Sequence, residues 1–339
     1  LKHLVAILKQ SLKDQNLLLT DEKPITHAAR FGVAAFAVIL AAPTAYAAMV
    51  FGDGYDMVNR VLTGSASLPF QPRILSYLAV SGIRVLGGGA LSLTAAEGLF
   101  YFFICASLFY LFYFFLRDYF DRITAVWSVF FMGATLAMAW IMPPLSFRYP
   151  HDATTPIFFI GLTHALFTRR WWLWYSLLPV AMLNRETVVV LLPCLFAIEW
   201  LRGEKKDAWI HAAFSLVVVL ASKAFISMSF PGAPFIFMLD RNFKVLLFGM
   251  RGWWPYLGLL SIYTGLWMAA PWGFSRLPRE MKIMFLAPAC AVVLMFTFAI
   301  INETRVWCEY GIYVVPAGVL GLARLRKRLN NFGPLLSGR

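Results

Sequence analysis

Apolar residues in this chain come in long unbroken blocks separated by short charged stretches. A half-buried strand would alternate, and a soluble amphipathic helix would show a stripe at i, i+3, i+4 and i+7. Blocks near the roughly 20 residues that span a bilayer core occupy 31–51, 95–117, 122–142, 208–229, 253–273 and 282–301. Shorter apolar blocks fill 154–168, 171–183, 187–201 and 309–323. The pattern predicts an all-α polytopic membrane protein with about ten transmembrane helices.

Segment 72–91 is apolar but carries Arg84 and ends in Gly87-Gly88-Gly89. Charge decides its place. If the other ten blocks span with the N-terminus inside, the loops RDYFDR, TRR, LRGEKKD and SRLPREMK and the tail ARLRKR all face the cytoplasm. About two thirds of the Lys and Arg then lie inside, as the positive-inside bias requires. A spanning 72–91 inverts every later loop. It is therefore expected to be a re-entrant or interfacial element in the first outer loop.

The same argument breaks 171–201 at Asn184-Arg185-Glu186. One unbroken helix would run roughly 46 Å and carry RGEKK outside. Two arms of about 22 Å satisfy both ends but fall short of the roughly 30 Å hydrocarbon core. The Arg-Glu pair is therefore expected below the outer surface, lining an outward-facing cavity, because ionisable groups at that depth persist where they pair or meet water.

Composition agrees with the pattern. Of 339 residues, 60% are hydrophobic and 14% charged, against about 45–50% and 25% in soluble domains. A water-soluble enzyme and a disulfide scaffold are excluded. The net charge of +13 sits in the inner loops, which makes it an orientation signal and excludes nucleic acid as partner. Four cysteines without metal-like spacing read as packing residues. The expected organisation is a cytoplasmic amphipathic segment over 1–30, one transmembrane domain over 31–323 and a basic cytoplasmic tail over 324–339.

Five outer stretches each hold cations beside carboxylates. They contain Asp53, Asp56 and Arg73; Arg148, His151 and Asp152; Arg185 and Glu186; Asp240 and Arg241; and Glu303, Arg305 and Glu309. A guanidinium fork matches phosphate oxygens, and a carboxylate held off bulk water takes a proton from a hydroxyl. Together they suit displacement of a lipid-phosphate leaving group by an alcohol. Aromatic residues near the same face, Tyr149 and Trp307 among them, suit either sugar stacking or an interfacial belt. Lys223 falls inside a helix, where it snorkels or pairs.

Gly52-Asp53-Gly54-Tyr55-Asp56, directly after the first apolar block, together with the membrane-parallel character of 72–91, resembles the GT-C superfamily. These are integral membrane glycosyltransferases that use polyprenyl-phosphate sugars. The resemblance covers roughly 31–323 and implies a GT-C-like fold in a bacterial inner membrane with both termini cytoplasmic. It implies inverting transfer from a polyprenyl-phosphate sugar to a glycan, lipid or protein acceptor. Asp53 or Asp56 would be the catalytic base. Arg73, Arg148, His151, Asp152, Arg185, Glu186, Glu303 and Arg305 would hold the lipid phosphate. Some members use a divalent metal and others none, so the metal stays open. The D-x-x-D spacing and the short chain depart from most members. A surface-polysaccharide polymerase or ligase, a lipid or solute transporter or flippase, and a non-catalytic subunit with partner proteins stand as alternatives.

Overall fold

A computed structural model describes residues 26–50, 54–63, 66, 73–141, 149–229, 262–298 and 307–336. The chain divides into two units, 1–36 and 37–339. Of the first, the described part is the opening of helix α1 (His27–Val50), where Thr26 Oγ1 accepts from the Ala29 N–H at 3.2 Å. The rest of the amphipathic segment expected over 1–30 lies outside the described residues.

Every regular element of the second unit is a helix, with no strand among the described residues. Helices α4 (Leu93–Arg117) and α5 (Arg122–Ile141) form a tight antiparallel pair joined by four residues. Each is capped by its own sequence. Ser92 Oγ accepts from the Ala95 N–H at 3.1 Å. Asp121 accepts from the Thr124 N–H at 3.0 Å and from Thr124 Oγ1 at 2.8 Å. Capping of this kind satisfies donors that a helix start leaves open.

Among the described residues, four helices are long and apolar enough to cross a membrane: His27–Tyr46, Leu93–Arg117, Arg122–Ala139 and Lys205–Ser229. The last of these, α9, leaves Trp209, Phe214, Val217, Leu220, Phe225 and Met228 uncovered. A surface this apolar on a helix of this length suits lipid and is costly in water. The protein is a membrane-embedded, all-helical chain.

Helix α2 (Gly54–Leu62) follows α1, and α3 (Ile74–Leu86) occupies the segment expected to be re-entrant or interfacial. At 13 residues α3 is about 20 Å long, short of the roughly 30 Å hydrocarbon core. Helix α2 buries Val58 and Val61 and packs on α3 and α4.

Helix α6 (Pro150–Phe167) begins four residues before the apolar block that predicted it. Pro150 occupies the first helical turn, where a missing N–H costs nothing and the fixed φ is already helical. Asp152 then sits in the first turn, where the helix dipole favours a carboxylate. His151 and Asp152 are thus helical, where the block boundaries had put them in a loop.

The break at 184–186 is present. Helix α7 (Trp171–Asn184) ends, Arg185 is extended at φ −165° and ψ 131°, and a 3-10 turn, Glu186–Val190, leads into α8 (Leu191–Leu201). The two arms return to one end. Arg169, just before α7, donates to Glu199 in the last turns of α8 at 2.8 Å. Arg202 joins them at 2.8 Å and also donates to the terminal carbonyls of α6 at Leu166 and Phe167. Glu199 is buried, and two guanidinium groups hold it. This lock closes one end of the bundle, and α9 (Lys205–Ser229) starts beside it.

The C-terminal part joins α10 (Leu266–Phe274), α11 (Arg279–Ile283), α12 (Leu286–Phe298) and α13 (Gly311–Leu336). Helices α10 and α13 touch backbone to backbone. A Cβ on Gly321 would run into the Ala269 carbonyl, and one on Gly273 into that of Ala317. Ala269 and Gly273 are four apart, as are Ala317 and Gly321, the small-xxx-small spacing that lets membrane helices approach closely. Helix α13 continues through Leu336, so much of the expected basic tail over 324–339 is helical.

Candidate functional site: a two-layered charge network

Opposite the Arg169–Glu199–Arg202 lock, the ends of α3, α6 and α7 converge with the 3-10 turn Cys308–Tyr310. Asp152 to Leu166 along α6 sets the two clusters about 21 Å apart. That is about two thirds of the roughly 30 Å hydrocarbon core.

The framework is a buried amide. Asn184 Oδ1 accepts from Ser76 Oγ at 2.8 Å and from Thr154 Oγ1 at 2.6 Å. Its Nδ2 donates to Thr155 Oγ1 at 3.0 Å. One side chain thereby ties α3, α6 and α7 together and fixes where the chain turns extended at Arg185. Successive side chains of extended backbone point to opposite sides, so Arg185 and Glu186 diverge.

Arg185 turns inward. Its Nη1 lies 2.9 Å from Asp152 Oδ1 and 3.8 Å from Glu309 Oε2. The three side chains are 5%, 2% and 1% exposed. Glu309 Oε2 also accepts from Thr187 Oγ1 at 2.9 Å. This layer is closed to solvent.

Glu186 turns outward, with 27% of its side chain exposed, between Lys223 Nζ at 3.1 Å and Arg73 Nη2 at 3.7 Å. Arg73 Nη1 lies 3.0 Å from His151 Nε2. A guanidinium has no acceptor, so Nε2 must accept. The imidazole proton is then on Nδ1, facing Tyr77 Oη at 3.4 Å. His151 is fully buried, and Tyr149 stacks on its ring at 5.4 Å and 6°. It orients Arg73.

Of the residues expected here, Arg73, His151, Asp152, Arg185 and Glu186 come together. Asp53, Arg148, Glu303 and Arg305 lie outside the described residues. Asp56 lies on α2, which packs on α3 and α4. Three members went unassigned in the sequence. Glu309 stood in the last outer loop as one charge among three. Lys223 sat inside an apolar block with its carboxylate 37 residues away. Asn184 is a common turn residue. Among the described residues, no three His, Cys, Asp or Glu side chains are grouped to hold a metal ion. The carboxylates of the network are engaged by Arg185, Arg73 and Lys223.

An apolar groove of about 390 Å³ opens near the network. Tyr263, Trp267, Phe274, Pro288, Val292 and Trp307 line it. Tyr263 Oη donates to the Trp307 carbonyl at 2.6 Å, which fixes the groove wall two residues from Glu309. No family model matches the chain, and comparisons with curated proteins and with solved structures gave no match.

Proposed function

We propose that the protein is a polyprenyl-phosphate-dependent glycosyltransferase of GT-C-like fold, with about ten crossings, acting at the outer face of a bacterial inner membrane. One observation carries this reading. Arginines and carboxylates from separated stretches gather at one end of a membrane-embedded bundle, and an apolar groove has in its wall Trp307, two residues before Glu309 of that network. Phosphate and isoprenoid chain are the two recognition elements of such a donor.

In this mechanism the acceptor O–H gives its proton to a carboxylate as its oxygen attacks the anomeric carbon. The bond from that carbon to phosphate oxygen breaks, its electron pair leaves with the polyprenyl phosphate, and configuration inverts. Cations stabilise the charge that builds on the phosphate. Asp152 and Glu309 are held by Arg185 and Thr187, so they are poor candidates for the base. Asp56 on α2, or Asp53 just before it, is the proposed base.

The test is transfer of labelled sugar from a panel of polyprenyl-phosphate monosaccharides by the purified protein. Asp53→Asn or Asp56→Asn is expected to slow transfer about 10²–10⁴-fold with unchanged expression. Wild-type transfer by both variants refutes the base. Absence of transfer by the native protein with every donor refutes the function.

A second reading draws on the charge balance. Three cations (Arg73, Arg185, Lys223) face three carboxylates (Asp152, Glu186, Glu309), as in a structural ion lock within a non-catalytic subunit or a transporter. Stable co-purification with a partner, or uptake into proteoliposomes without covalent change, would favour it.

A further inference from the structure

We infer that the outer layer of the network is an exchangeable anion site, with Glu186 as a tethered stand-in for a phosphate group that docks between Arg73 and Lys223. The inference rests on the transferase reading and assigns its phosphate site.

The two layers differ in what they can release. Asp152, Arg185 and Glu309 are closed off from water, and removing any one strands buried charge. In the outer layer, Lys223 is half exposed and Glu186 more than a quarter. Glu186 meets Lys223 at 3.1 Å and Arg73 at 3.7 Å. Glu186 can swing away because its extended neighbour Arg185 anchors the backbone independently.

What remains after such a swing is a built receptor. Arg73 stays in place through its contact with His151, itself buried and stacked on Tyr149. Lys223 stands on α9, an element separate from the one that carries Arg73. With Glu186 turned away, a planar fork and a point ammonium face the space it leaves. A phosphomonoester matches that charge and presents more oxygens than the carboxylate it replaces. Helix α9 continues six residues beyond Lys223, about 9 Å. The site thus lies about two turns below the helix end. The same chemistry would admit a lipid phosphate or free phosphate.

The experiment measures binding of a polyprenyl phosphate, and separately of inorganic phosphate, to the full chain in detergent, by native mass spectrometry and thermal shift. Glu186→Gln removes the internal competitor and is expected to tighten binding about threefold to fivefold. Lys223→Ala is expected to weaken it about tenfold or more, and Lys223→Arg to restore most of the loss. This order with the lipid alone assigns the site to a lipid headgroup. The same order with both ligands assigns it to the phosphate group itself. If the native protein binds polyprenyl phosphate and all three variants bind it equally, the displacement proposal is overturned while the transferase reading stands. If the order appears for inorganic phosphate and the lipid does not bind, the site stands and the lipid-donor reading falls. Binding of neither ligand overturns the proposal.

Discussion

Replacing Arg185 with methionine should be the most damaging single change at the charge network. Methionine keeps much of the apolar volume and removes the cation. Asp152 and Glu309 would then share a water-excluded space, with side chains 2% and 1% exposed and no guanidinium between them. Removing one partner of a buried pair costs about 3–5 kcal/mol, and here one cation serves two carboxylates. That is a large part of the roughly 5–15 kcal/mol that holds a folded domain. Lys223→Ala is the internal control. It breaks an ion pair of nearly the same length, 3.1 Å against 2.9 Å, but it leaves Glu186 with Arg73 at 3.7 Å and strands no carboxylate without a cation, so it should cost much less. Adding Asp152→Asn and Glu309→Gln to Arg185→Met should recover most of the loss, since no buried charge is then left unpaired. Chemical unfolding in detergent micelles, followed by tryptophan fluorescence, gives the ordering. If Arg185→Met and Lys223→Ala cost the same amount, under about 1 kcal/mol, the inner layer is solvated and the two-layer description is wrong.

Three other outcomes are expected. Asp121→Ala should lose about 1 kcal/mol of stability through the lost cap of α5. Burial pushes the Asp121 carboxyl upward, but hydrogen bonds from Thr124 outweigh it and hold the group below its ordinary range. Its contribution is therefore present above the unfolded carboxylate range and lost as pH falls through the lower folded value, so native protein and variant should converge in acid. Gly321→Val should force α10 and α13 apart and lower the thermal midpoint sharply, by more than the 1–3 kcal/mol of ordinary overpacking, because the obstacle is the Ala269 carbonyl. Single cysteines at Glu204 and Ser92, in a background without native cysteines, should label from opposite sides of sealed vesicles. Labelling from one side contradicts the placement of the two charge clusters.

Element positions were largely legible because lipid imposes long apolar blocks with charged ends. The break at Asn184-Arg185-Glu186 followed from length and charge alone. The first turn of α6 was missed because Pro150, His151 and Asp152 are polar or helix-breaking by composition, although Pro at the first position and an acid behind it is a helix-start signal. The small-xxx-small pairs Ala269/Gly273 and Ala317/Gly321 were also present in the sequence, hidden among other small apolar residues. Side-chain pairing was not legible at all. Nothing in the order of residues ties Lys223 to Glu186, or Glu309 to Arg185. Those contacts depend on how helices far apart in the chain pack together. Glu199 is a similar case, a buried acid near the end of an apolar block whose partners, Arg169 and Arg202, sit in turns that look like plain basic loops.

The central claim is that the charge network at the α3–α6–α7 end receives the phosphate of a membrane-borne donor. An experimental density map of the protein in lipid nanodiscs with added polyprenyl phosphate tests it most directly. The account predicts phosphate density between Arg73 and Lys223, Glu186 turned away, and chain density running toward Trp307 and Trp267. Headgroup density elsewhere, with the Arg73–Glu186–Lys223 bridge intact, would contradict it.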